Sequence, residues 1–141
     1  MLDVKEWINK VTSALVRPNM WCGGATVAVS TTVSYDVGRD IVSTQYKTNT
    51  GRFVAIGIVP LKTSRYTSRA LIKVDGSVVG LAATNKTSLC TVAPMATYNG
   101  TKGSTYTVAL AIGSQDSGTT ASTEAYNYAT FVIFDVGGGS Q

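Results

Sequence analysis

The chain contains no histidine in its 141 residues, and this limits the chemistry that its side chains can perform. Ser–His and Cys–His nucleophilic pairs are excluded. Asp116 and Glu124 fall in one polar stretch, which is a poor frame for holding two carboxylates at a fixed separation. Cys22 and Cys90 form no CxxC motif, so the usual zinc sites cannot be built. We expect a non-enzymatic protein without metal or cofactor, and a small glycosidase is the weaker alternative.

Aromatic residues next to amides suggest a second kind of chemistry, the binding of sugar rings. Tyr98 precedes Asn99, and Tyr126 precedes Asn127. An aromatic face gives a sugar apolar contact while an amide gives it hydrogen bonds. The alternative is ordinary loop chemistry, which we favour because many β domains carry loop tyrosines.

Basic residues form a third group, in a window that lacks Asp and Glu. Lys62, Arg65 and Arg69 surround Tyr66. The group suits a polyanion such as an anionic cell-wall polymer, or equally a solvated loop, which we favour. The net charge of +4 is spread along the chain, so we expect no nucleic-acid partner.

An apolar stripe near the N-terminus could anchor the chain to a partner. The sequence predicts a helix over 3–16, capped by Asp3 and ended by Pro18. Such a short helix is marginal alone and must dock on its own domain, a sister subunit or another protein. The stripe consists of Val4, Trp7, Ile8, Val11 and Leu15.

The N-terminal segment also bears on where the chain is made. Asp3, Lys5, Glu6 and Lys10 interrupt any hydrophobic core of a signal peptide. We therefore expect synthesis in a reducing cytoplasm, with both thiols free. The longest apolar run, 53–61, is far too short to cross a membrane, so we expect no membrane partner.

From residue 23 onward the pattern changes to short strands separated by turn residues. Asp75-Gly76 between apolar runs is a strong hairpin signal, and 113–127 has the composition of a long polar loop. We predict two segments: an N-terminal helix and linker over 1–22, and a β domain with a flexible Gly-rich tail over 23–141. The fold is predicted to be all-β, a jelly-roll sandwich of about eight antiparallel strands behind a short N-terminal α-helix. The predicted strands are 25–34, 40–47, 52–59, 69–74, 77–82, 87–92, 105–112 and 128–136.

Three of these stretches together resemble the C1q/TNF-like jelly roll: ALIKVDGSVVGLA, GSTYTVALAI and the terminal YATFVIFDV. The likeness covers about residues 25–136, with Gly103-Ser104 where many members carry Gly-Asp. It implies a homotrimer. The last predicted strand fits such an assembly. Phe131 and Ile133 alternate with Val132 and Phe134, so both of its faces are apolar, and a sister subunit can cover the face that does not fill the core.

The segment DVKEWINKVT resembles the leader segments of tail-fibre and other virion proteins from phages of Gram-positive bacteria. Together the two resemblances imply a virion protein, made in the host cytoplasm, of the tail-fibre, tail-tip or capsid-decoration type. Its N-terminal helix would bind other virion proteins. The alternative is a carbohydrate-binding adhesin head that recognises host cell-wall glycans.

Overall fold

The computed structural model describes residues 3–7, 17–124 and 128–137. Within these residues the fold is an all-β jelly-roll sandwich, as predicted, with one helical turn at 4–7. Asp3 caps this turn, since its Oδ1 accepts a hydrogen bond from the Lys5 amide at 3.3 Å. The strands are β1 Met20–Gly24, β2 Ser30–Thr31, β3 Arg39–Lys47, β4 Arg52–Thr63, β5 Ser68–Val74, β6 Ser77–Thr84, β7 Cys90–Val92, β8 Met95–Asn99, β9 Thr105–Ser114, β10 Ala121–Ser122 and β11 Thr130–Asp135.

The strands form two antiparallel sheets. The larger sheet has the order β1-β11-β4-β10-β2, and β7 and β8 also pair with β4. The smaller sheet has the order β3-β9-β5-β6. The pairing of β4 with β11 ends at Ile58 of β4, and its pairing with β10 begins at Lys62 of β4. Pro60 lies between these two points. At that point β4 has a neighbour on one side only, where a proline is tolerated.

The core lies between the two sheets and consists of alternate residues of the long strands. Phe53, Val59 and Leu61 of β4 meet Ile72 of β5 and Leu110 of β9, all fully buried. The rest of the core includes Tyr46, Ala70, Val108, Ile112, Phe131 and Ile133. Because side chains alternate along a strand, the residues between these positions point away from the core.

The Asp75-Gly76 hairpin forms as the sequence predicts. Asp75 has φ 49° and Gly76 has φ 85°. Positive φ at both central residues is the type I′ turn, whose twist matches that of the flanking strands. This turn joins β5 to β6 and fixes the edge of the smaller sheet.

Several predicted boundaries are wrong. The predicted strand 25–34 is reduced to the short β2, whereas the predicted linker contains β1, which crosses the boundary placed after residue 22. The predicted loop 113–127 contains the end of β9 and the short β10, and β8 was not predicted. In each case pairing with a distant strand decides the outcome: β1 pairs with β11, and β8 and β10 pair with β4.

Candidate functional site

Tyr98 and Asn99 lie on strand β8 and not in a loop, which corrects the predicted location. The Tyr98 ring is half-buried and stands 5.3 Å from the Phe53 ring and 5.2 Å from the Tyr106 ring, centroid to centroid. It therefore contributes to the core, while Asn99 is exposed at the strand end. Tyr126 lies outside the described residues. Sugar binding by these residues stays a prediction.

Two members of the basic group pair with the two acids considered for catalysis. Lys62 Nζ lies 2.7 Å from Glu124 Oε1, and Arg65 Nη2 lies 4.0 Å from Asp116 Oδ1. Arg69 stacks over the Tyr35 ring with 3.8 Å between guanidinium carbon and centroid. Such partly exposed pairs contribute little to stability, but they place two negative charges among the basic side chains of this loop.

Tyr66 is the one member of this group with unusual backbone. It is exposed and has φ 53°, in the left-handed region, which is uncommon for a bulky side chain. The Arg65 guanidinium carbon lies 4.8 Å from the centre of its ring. Beside this loop is an open cleft of about 340 Å³, lined by Lys62, Thr63, Ser64, Thr87, Thr120 and Ser122.

The aromatic–amide pair and the basic loop are far apart. Tyr98 is paired with Phe53, at the start of β4, whereas Arg65 follows the end of β4 at Thr63. At about 3.4 Å per residue, ten residues of strand separate them by about 34 Å. The structure therefore does not combine the predicted ligand-binding residues into one site.

The described part of the N-terminal stripe is open to solvent. Val4 is 69% exposed and Trp7 is 56% exposed. Ile8, Val11 and Leu15 lie outside the described residues. The anchoring role of the stripe stays a prediction, and Val4 and Trp7 show that its first turn presents apolar side chains outward.

The larger sheet carries an apolar surface that points away from the core. Strand pairing aligns one row from Cys22 through Val132 and Ile56 to Met95. A second row runs from Met20 through Phe134 and Val54 to Thr97, and a third runs from Gly24 through Thr130 to Ile58. We call this surface the outer face; Gly24, Thr97 and Thr130 belong to it, and its apolar members are Met20, Cys22, Val54, Ile56, Ile58, Met95, Val132 and Phe134.

The size of the outer face follows from the spacing of its strands and residues. Four strands at about 4.8 Å and five residues at about 3.4 Å give about 19 by 17 Å, or about 300 Å². Met20, Ile58 and Met95 are exposed, and the other members are mostly half-buried. Contiguous apolar patches of this size on a monomer often mark interaction sites.

The outer face is a site that our sequence interpretation missed in part. The two-sided apolar character of β11 was recognised, but the same signal in β4 was not. There Val54, Ile56 and Ile58 alternate with the core residues Phe53, Ala55 and Val59. The sequence predicts a strand over 52–59 and a run over 53–61 that is too short for a membrane span, but its second apolar side was not recognised as a surface to be covered. A strand that is apolar on both sides is normally buried on both sides.

A buried carboxylate holds the segment that leads from the N-terminus into the outer face. Asp135 accepts hydrogen bonds at 2.8 Å from the Asn19 and Asn49 amides. Its other oxygen accepts them at 2.8 Å from the Tyr46 and Thr48 hydroxyls. Burial alone raises the pKa of Asp135, but these hydrogen bonds to the charged form outweigh it and hold the pKa below its usual range.

The same carboxylate acts on the tyrosine beside it. Burial and the nearby negative charge of Asp135 raise the pKa of Tyr46 well above its usual value. Tyr46 therefore stays protonated and serves as a donor, which also reaches the Asn19 carbonyl at 2.9 Å. Residues 17–19 are thus fixed at the root of β1.

The two thiols are free and widely separated. Cys22 is exposed on the outer face, whereas Cys90 lies on β7 with its Sγ 3.0 Å from Thr84 Oγ1. Cys22 aligns with Ile56 of β4, and Cys90 pairs with Leu61, five residues further. This is about 17 Å along the strand, far beyond the roughly 7 Å between Cα atoms that a disulfide allows.

Within the described residues, no group of three or more Cys, Asp or Glu side chains could hold a metal ion. Over the same residues, no helix has the length and apolar character needed to cross a membrane.

No family model matches the chain, and no curated protein matches it in sequence. Solved structures match at the level of fold. The CBM36-1 domain of a multidomain xylanase from the hindgut metagenome of Trinervitermes trinervoides is 13% identical, with a TM-score of 0.47 over 86% of this chain and 100% of that one. The sugar-binding C-terminal domain of EclA is 14% identical, with a TM-score of 0.44 over 79% of each chain.

A viral protein shares the same general architecture. A chain of the T13 particle of IBDV is 12% identical, with a TM-score of 0.41 over 84% of this chain and 35% of that one. These neighbours are sugar-binding and viral jelly rolls, and TM-scores below 0.5 do not identify a ligand or a partner of this chain. The C1q/TNF-like and phage resemblances stay predictions.

Proposed function

We propose that this chain is a non-enzymatic structural subunit of a bacteriophage virion, of the tail-fibre, tail-tip or capsid-decoration type, and that it assembles as a homotrimer. The observation that carries the proposal is the outer face, because contiguous exposed apolar patches of this size are often the places where proteins associate. The phage-like N-terminal segment and the C1q/TNF-like strand pattern supply the virion setting and the copy number.

The size of the outer face sets what assembly requires. The outer face measures about 300 Å² and includes two threonines, so its burial contributes at most about 7 kcal/mol per copy at about 25 cal/mol per Å² of apolar surface. Association costs about 4–15 kcal/mol in lost freedom. A typical stable interface buries about 800 Å² on each partner, so contacts beyond the outer face must contribute.

Two measurements test this proposal. Mass spectrometry of purified particles of the phage that encodes the chain should find the chain in the mature virion. Light scattering of the full chain at several concentrations should give three times the 14.8 kDa of one copy. Particles without the chain would reject the virion role, and a mass of 14.8 kDa at all concentrations would reject assembly by the chain itself.

A second candidate function, glycan binding by an adhesin head, is favoured by Tyr66. A bulky residue held in left-handed backbone costs about 1–2 kcal/mol, and such strain tends to occur where a side chain is used. Its ring is exposed, and the end of β4 that leads into its loop lines a cleft rich in hydroxyl groups. A glycan array with the full chain tests this, with Tyr66→Ala expected to abolish binding and Tyr128→Ala, another exposed tyrosine, expected to retain it.

A further inference from the structure

The outer face and the N-terminal stripe are two apolar surfaces that one copy leaves uncovered. We infer that residues 3–16, here called the arm, lie across the outer face of a neighbouring copy. This inference rests on the proposed function and names the partner of the same surface. In one chain Val4 and Trp7 are exposed, and so are Met20 and Met95 of the face. Each surface therefore has apolar area that the other can bury.

The dimensions of the two surfaces agree. A helix over the predicted range 3–16 would be about 21 Å long at 1.5 Å per residue. The outer face measures about 19 by 17 Å. If 3–16 is helical as the sequence predicts, it spans the face once, and the apolar side chains of its stripe are buried together with those of the face.

The charges at the border of the face also match the arm. Arg52 is exposed on the same side of β4 as Val54 and Ile56. Among the described residues no carboxylate pairs with it. The first turn of the arm carries Asp3 and Glu6 beside one lysine, Lys5, and none of these three forms an ion pair among the described residues. A helix seated with this turn near Arg52 would bring opposite charges together at the rim, where they orient the contact.

The root of the arm is continuous with the face. The Asn19 amide is held by Asp135 at 2.8 Å, and the Arg17 carbonyl accepts a hydrogen bond from Asn49 Nδ2 at 3.0 Å. Met20 follows at once as the first residue of β1, at the edge of the sheet. An arm that leaves from this border can reach the neighbouring copy while its own β1 stays in place.

An arm on a neighbour's face joins two different surfaces. Contacts of this type close into rings when the rotation permits. Three copies that each pass an arm to the next form a closed trimer from a single kind of contact, whereas two copies that exchange arms form a dimer. It also predicts that a defective arm and a defective face can complement each other on separate chains.

The experiment uses two full-length variants. Trp7→Glu places a charge on the apolar stripe of the arm and leaves the outer face unchanged. Ile58→Glu places a charge on the outer face and leaves the arm unchanged. The Ile58→Glu chain also carries Cys22→Ser, so that alkylation of Cys22 reports on the Trp7→Glu chain alone. Cys90 of that chain is the internal reference. The control partner is the Ile58→Glu, Cys22→Ser chain with Trp7→Glu added, so that neither its face nor its arm can dock.

The expected result is that both variants alone have the mass of one copy. Excess Ile58→Glu chain then slows alkylation of Cys22 about tenfold, because the docked arm must open before the thiol reacts. The control partner leaves the rate unchanged. A Lys5→Gln variant, with the same change in charge as Trp7→Glu but off the stripe, keeps the mass of the wild type.

Three results would overturn the inference. If Trp7→Glu keeps the wild-type mass while Ile58→Glu loses it, the face assembles without the arm, and the proposed function stands alone. If Cys22 of the wild type is protected at the mass of one copy, the arm covers its own face. If the Ile58→Glu chain leaves the alkylation rate of Cys22 in the Trp7→Glu chain unchanged, the arm does not dock on a neighbouring copy.

Discussion

Replacing Asp135 by Asn tests whether one buried carboxylate fixes the root of β1. The side chain accepts four hydrogen bonds at 2.8 Å, two on each oxygen. An Asn side chain keeps one oxygen for the two backbone amides and presents an NH₂ group to the Tyr46 and Thr48 hydroxyls. Hydrogen bonds to a charged group contribute about 1.5–3 kcal/mol each and neutral ones about 0.5–1.5, so we expect a loss of about 2–6 kcal/mol in the free energy of unfolding. This is a large part of the roughly 5–15 kcal/mol of a typical domain.

The loss should depend on pH, and its sign follows from the pKa of Asp135. The folded-state pKa is lower than the unfolded value, so the charged form stabilises the fold above the unfolded pKa of about 3.9. That stabilisation disappears as the pH falls through the lower, folded-state pKa. The difference between wild type and Asp135→Asn should therefore be constant at neutral pH and shrink below about pH 4.

Urea unfolding followed by circular dichroism measures this difference, in an Ile58→Glu background so that assembly does not add to the stability. The control is Asp36→Asn, which removes an exposed carboxylate and should change the stability by less than about 0.5 kcal/mol. If Asp135→Asn costs no more than Asp36→Asn, or if its cost is the same at every pH, the argument from these hydrogen bonds is wrong.

Two further predictions concern particular residues. Mass spectrometry of the alkylated, unreduced protein should find Cys22 and Cys90 both labelled under denaturing conditions, and a loss of two daltons without labelling would contradict the separation of the thiols. Gly76→Ala should lower the free energy of unfolding by about 1 kcal/mol, because the added Cβ meets no atom within 4 Å and only the φ of 85° resists it. A Gly137→Ala control, at a glycine without a positive φ, should unfold at the wild-type urea concentration, and equal midpoints for both variants would exclude strain at Gly76.

The sequence predicts those parts of the fold in which the signal is local. The Asp75-Gly76 turn and the short apolar strands β5 and β9 depend on neighbouring residues, and the number of such strands predicts a sandwich. Strand β1, with the sequence MWCGG, has two glycines and little strand propensity. It forms because β11 pairs with it and Asp135 holds Asn19, across 116 residues of sequence.

The candidate site was predictable only in part for a similar reason. The two-sided apolar pattern of β11 indicates a covered outer surface, and β4 carries the same local signal. However, the placement of Met20 and Met95 on that surface needs the order of the strands, which the sequence does not contain. The ion pairs of the basic loop likewise depend on acids about 50–60 positions away, and only the folded chain pairs them with Lys62 and Arg65.

The central claim is that the outer face assembles the chain, and one comparison tests it most directly. Ile58 on the outer face is 46% exposed, and Leu81 on the smaller sheet is 49% exposed, so a glutamate at either position is equally tolerated by a single copy. Light scattering should give three times 14.8 kDa for the wild type and for Leu81→Glu, but 14.8 kDa for Ile58→Glu. A trimer that survives Ile58→Glu, or is lost in both variants alike, would contradict the claim.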